Sequence, residues 1–160
     1  MRWMTLILLV VVLAACGGGS NDKSNDKKDD TSPTGEPSPG TLSPVILDLQ
    51  QDYESLHESQ QAIGKIWEDL AANQEVQCGS YPDVLSPDTI SAGDDPAYQP
   101  LADLLRRAAI DIDHAIAVWK AECANPRQMP PPDVIDEGRL AARSAGDALR
   151  RAETLLADMQ

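Results

Sequence analysis

From Leu42 onward, apolar residues recur with helical period, and three separate stripes can be traced along the chain. Ile46, Leu49, Tyr53, Leu56, Gln60, Ile63, Trp67 and Leu70 step alternately by three and four residues without a slip, a heptad seam with Gln60 as its one polar member. Ser43 before Pro44 supplies an N-cap followed by proline at the first helical position, and Leu42 is placed to staple onto Leu47. Helix one is therefore predicted from Pro44 to about Asn73, a rod of roughly 45 Å. Asp95-Pro96 repeats the cap-then-proline signal ahead of a second stripe, Tyr98, Leu101, Leu105, Ala108, Ile112, Ala115 and Trp119, widened by Leu104, Ala109 and Ile116. Asn125-Pro126 stops that helix near Ala124. Pro130 to Pro132 set up a third start, with Asp133 and Asp136 near the positive end of the helix dipole. The third stripe, Gly138, Ala142, Ala145, Leu149, Ala152, Leu156 and Met159, is mostly small, which predicts close packing against its neighbours. The pattern predicts an all-α fold for residues 43–160, an elongated three-helix bundle with a long link between helices one and two.

Composition narrows the partners. Acidic residues outnumber basic ones 26 to 13, for a net charge of −13, so binding to nucleic acid or to anionic lipid through charge is disfavoured. Phenylalanine is absent, and glycine is scarce outside residues 16–42, which argues against a sheet-rich fold. Helix one is strongly acidic while helix three carries Arg139, Arg143, Arg150 and Arg151, so ion pairs between the two are expected on solvated faces.

The first residues have a different character. Arg2 precedes a run from Thr5 to Leu13 read as unbroken and apolar, far too short for a bilayer, which needs about 20 residues, and matching a cleaved export signal. Leu13-Ala14-Ala15-Cys16 followed by Gly17-Gly18-Gly19-Ser20 resembles the lipobox of bacterial lipoproteins. The resemblance covers roughly the first twenty residues and implies removal of residues 1–15, diacylglyceryl transfer to the Cys16 thiol, and an extracytoplasmic protein held on a membrane by its acyl chains. Glycine rather than aspartate after the cysteine implies, by the same resemblance, the outer membrane where the organism has one. Residues 16–42 are rich in glycine, serine, asparagine, aspartate, lysine and proline; they are predicted to be a disordered tether, spanning roughly 30 Å as a coil.

With Cys16 lipidated, Cys78 and Cys123 remain as a pair expected to form a disulfide in an oxidising compartment. Cys78 lies just past helix one and Cys123 in the last turn of helix two, so the bridge requires those helices to run parallel, with Gly79 to Asp95 crossing back along the bundle. A competing constellation uses the only two histidines. Glu54-Ser-Leu-His57 and Asp111-Ile-Asp-His114 both read acid-x-x-His, a spacing similar to half of the signature of ferritin-like di-iron bundles. The two arrangements exclude each other. With the cysteines joined, His57 and His114 differ in height by roughly 18 Å at 1.5 Å per residue. The bridge is preferred because it needs one common event and the metal site several uncommon ones.

No nucleophile elbow, phosphate-binding glycine loop, haem attachment or zinc-type cysteine cluster occurs. The expectation is a non-catalytic, membrane-anchored binding or interaction module of the cell envelope, with no cofactor and an envelope protein or ligand as partner. Its expected contact surfaces are the charged helix faces and the link containing Cys78, Tyr81 and Asp83. The second reading is a metal-binding bundle using Glu54, His57, Asp111 and His114.

Overall fold

The structure, a computed structural model, describes residues 43–124 and 129–159. The export signal, Cys16, the tether, Leu42 and the Asn125-Pro126 stop all lie outside the described residues. Three α-helices form a bundle: α1 (Pro44–Ala71), α2 (Gln99–Ala124) and α3 (Pro132–Asp158). Two short 3-10 turns, Pro87–Thr89 and Pro96–Tyr98, punctuate the segment between α1 and α2.

Local chemistry sets the helix ends. Ser43 occupies the N-cap of α1, but its side chain makes no capping bond, so proline geometry alone opens the helix. Leu47, the expected partner of a hydrophobic staple, is exposed. α1 closes two residues before the Asn73 expected from the sequence. Asn73 adopts a left-handed φ of 57°, and the Gln74 amide turns back to the Asp69 carbonyl at 2.9 Å, which satisfies the terminal backbone and redirects the chain. Asp95 caps through its side chain, accepting from the Ala97 amide at 2.9 Å, and starts the 3-10 turn that leads into α2.

The helices are ordered by their contacts. At one end Gly93, just before α2, lies against Val45 at the start of α1; at the other, Trp67 meets Ala115 and Trp119. α1 and α2 therefore run parallel, as the bridge requires. α3 is antiparallel to both, because Glu68 late in α1 meets Arg139 early in α3, and Asp111 and His114 meet Ser144 and Glu137 in reversed order. The segment from 72 to 98 returns along the bundle and is pinned by side chains to its own carbonyls. Ser59 Oγ donates to the Asp83 carbonyl at 2.8 Å, and Arg106 grips the Ile90 carbonyl through Nε and Nη2 at 3.0 and 2.8 Å. Ile90 and Ala92 from this segment join the core.

The stripes read from the sequence supply most of that core, and each fully buried aliphatic side chain contributes about 1.5–3 kcal/mol. Ala141, Ala142, Ala145, Ala148 and Ala152 line the inner side of α3, and α2 and α3 share the most extensive interface. Small side chains let those two backbones approach closely. Gln60, the polar member of the first seam, sits half-buried opposite this strip and donates to the Ala142 carbonyl at 3.1 Å. No helix among the described residues is long and apolar enough to cross a membrane.

Candidate binding site

The two C-terminal ends of α1 and α2 meet at one end of the bundle, around a pair of tryptophans. Trp67 is fully buried, and its indole Nε1 donates to the Ala115 carbonyl at 3.3 Å. It packs edge to face with Trp119, with ring centroids 6.0 Å apart. Gly138 makes this possible, since a Cβ at that position would overlap the Trp67 indole ring. Cys78 and Cys123 are joined just beyond, with their Cα atoms 5.4 Å apart. Tyr81, one turn of chain further, lies under the Lys120 ammonium at 4.5 Å, a cation–π contact that fastens the returning segment to α2.

Trp119 differs from its neighbour in one respect. Its Nε1 is buried without a hydrogen-bond partner among the described residues, a condition that ordinarily costs about 1–3 kcal/mol. The same residue lines a crevice of about 310 Å³, walled by Leu70, Val76 and Met129 and flanked by Glu75 and Glu122. A second hollow of about 530 Å³ shares Leu70, Met129 and Pro130 with it and extends to Ile135 and Arg139. Two helix C-termini converge there with no basic residue in either last turn. The crevice offers apolar walls and two carboxylates, while the Trp119 Nε1 itself is sealed from solvent.

The structure does not assemble the alternative metal site. Glu54 accepts from Gln50, and His57 stacks on Tyr53 and contacts Gln61 Nε2 at 3.2 Å. Asp111 is held by Arg107 and by Ser144 at 2.6 Å, while His114 faces Glu137 at 3.1 Å. Each of the four residues is engaged with its own surroundings, and among the described residues no group of three or more His, Cys, Asp or Glu side chains could hold a metal ion. The physical reason is the helix order: parallel α1 and α2 put the two histidines at different heights.

Electrostatic shifts are confined to the helix faces. The hydrogen bond from Arg139, reinforced by one from Arg143, holds the Glu68 carboxyl below the usual glutamate range. Partial burial, with Asp48 nearby, pushes Asp52 up. Burial also raises the Tyr53 phenol, and the charge of Glu153 adds to it.

Sequence reasoning missed several side chains that hold the fold together or line its hollows. Ser59 and Arg106 were invisible as anchors because their acceptors are backbone carbonyls far along the chain. Met129 carried no pattern of its own, and Pro130 was read only as part of the start of helix three. Gly138 was read as a small seam residue, without the indole that requires it. Compared with known proteins, the chain matches no family model, and no curated protein or solved structure matches it.

Proposed function

We propose that this protein is a lipid-anchored, extracytoplasmic binding module. On this reading residues 1–15 direct export, Cys16 carries the lipid, and residues 16–42 join it to the helical domain. Two or three acyl chains hold a protein on a bilayer where one would leave it exchanging, each buried methylene contributing about 0.8 kcal/mol. The observation that carries the proposal is the Cys78–Cys123 bridge, since a cross-link between helix ends persists in an oxidising compartment and not in a reducing one. The apolar crevice beside it supports binding as the activity.

The test is intact mass combined with phase partition of the protein purified from its producing cells. The proposal expects a chain that begins at Cys16, carries diacylglyceryl mass and enters the detergent phase, and a Cys16→Ser variant that loses both. An unprocessed chain with Met1 in the aqueous interior overturns it.

A further inference from the structure

We propose that the Cys78–Cys123 bridge is a reducible latch: its reduction by a dithiol frees residues 72–86, the near half of the returning segment, from α1, while the helices and the far half of the segment stay in place. The inference does not depend on the lipid anchor. Access to the bridge comes first. Cys78 is exposed and Cys123 half-buried, and a Cβ built on the adjoining Gly79 would meet nothing within 4 Å, so the approach to Cys78 is open. Thiol–disulfide exchange needs that access. One thiolate of the dithiol attacks Cys78 Sγ, the S–S bond breaks, and its electron pair leaves on Cys123 Sγ. The second thiolate then displaces Cys78 from the mixed disulfide. Two electrons pass to the bridge, the dithiol becomes a disulfide, and its two protons end on the cysteine thiols.

The two halves of the segment are held unequally. Ile90 and Ala92 are each 2% exposed within the core, and Arg106 holds the Ile90 carbonyl through two hydrogen bonds. Residues 75–85 have no comparable hold: among the described residues, their only backbone hydrogen bond is the local one from the Ser80 amide to the Gln77 carbonyl. Besides the bridge, the near half is tied down by the Tyr81 ring under Lys120, the Ser59 hydroxyl on the Asp83 carbonyl, and the half-buried Val76, Val84 and Leu85. A hollow of about 580 Å³ lies between it and α1, with Ala62, Lys65, Ile66 and Asp69 on the helix side and Val76 and residues 79–82 on the other. The chain therefore spans this side of α1 without filling it, and few dispersion contacts are lost when it lifts. Lifting uncovers Ser59 and Ile66, buried positions of α1 that lie outside its heptad seam, so the surface the protein presents depends on redox state.

The test is solution NMR of the protein as purified from its producing cells, in uncharged detergent micelles, with dithiothreitol as the dithiol. The bridge is expected to be reduced in the native protein at no less than about a tenth of the rate in the urea-unfolded chain. The Lys120 ε-methylene signals, displaced upfield by the Tyr81 ring, return to their ordinary position on reduction, while the Ile90 methyl signals and the far-ultraviolet circular dichroism do not change. Tyr81→Ala in the oxidised protein assigns the ring shift, and reoxidation of the reduced sample restores it. The Cys78→Ser, Cys123→Ser double variant reproduces the reduced spectrum without dithiothreitol. Slower native reduction overturns the proposal, because the bridge then opens only through unfolding. A Lys120 signal unmoved by complete reduction overturns it as well, and so does a loss of helicity or a shifted Ile90 signal on reduction, since the latch must release the near half alone.

Discussion

The two ends of the bundle are stabilised by different means. Around the start of α1 and α2 the core is built from branched aliphatic side chains, Ile46, Leu49, Ile90, Leu101 and Leu105, all sealed from solvent, with Arg106 locking the returning segment by two hydrogen bonds to one carbonyl. At the cysteine end two flat indoles replace them, one helix must present glycine to accommodate a ring, and crevices remain beside Trp119. Flexible aliphatic rotamers interdigitate, whereas rigid rings leave gaps at their edges. Covalent linkage supplies at the second end what side-chain packing supplies at the first, and hollows are left beside the rings.

Removing the cross-link should widen this contrast most. Cys78→Ser with Cys123→Ser opens a loop of sequence separation 45, and the expected loss is about 4 kcal/mol in chemical denaturation on the chain-entropy account. Native-state hydrogen exchange should accelerate in the last turns of α1 and α2 more than near Leu49 and Leu105. Uniform acceleration would show that the ends are not separately stabilised.

A pair of glycine substitutions gives a smaller and sharper test. Gly138→Ala gains about 1 kcal/mol of helix propensity but forces the Trp67 ring aside at about 1–3 kcal/mol, for a net destabilisation of about 1 kcal/mol. Gly64→Ala meets only the Gln60 amide at 3.5 Å, an ordinary contact, and should stabilise by about 1 kcal/mol. Opposite signs in thermal melts confirm the tight indole seat; a stabilising Gly138→Ala would refute it.

The smallest effect concerns charge. Glu68 has a folded pKa held down by Arg139 and Arg143, so its contribution is present above the ordinary glutamate pKa and is lost as pH falls through the folded value. The side chain is half exposed, and the loss should stay below about 1 kcal/mol. Glu68→Gln should flatten the acid limb of the stability–pH curve. Asp52 works in the opposite sense: its raised pKa makes the charged form unfavourable, and that penalty is relieved as pH falls.

Much of the fold was legible because helical burial is periodic. The seams through Leu49, Leu56 and Ile63, through Leu105 and Ile112, and through Ala145 and Leu149 are all buried as their spacing requires. Ile66 and Ser59 broke the reading. They are buried because the segment from 72 to 98 lies over that side of α1, and a covering strand of chain adds a second buried edge that a single-helix pattern does not contain. The cysteine pair was legible too, and it carried the helix order with it, since two helix ends can share a bridge only if they lie together. The acid-x-x-His pairs were equally visible and led nowhere, because spacing within a helix says nothing about the height of its neighbour.

The sequence by itself determined three helices and their inner faces, and through Cys78 and Cys123 it favoured, without deciding, the order in which the ends of helices one and two meet. Only the tertiary structure decided that one tryptophan N–H finds a carbonyl while the other finds none among the described residues, and that Gly138 and the crevice stand beside them. The reason is physical: periodicity and covalent links are properties of one chain read in order, whereas the fit of a ring, a hollow or a donor depends on three elements arriving at one place.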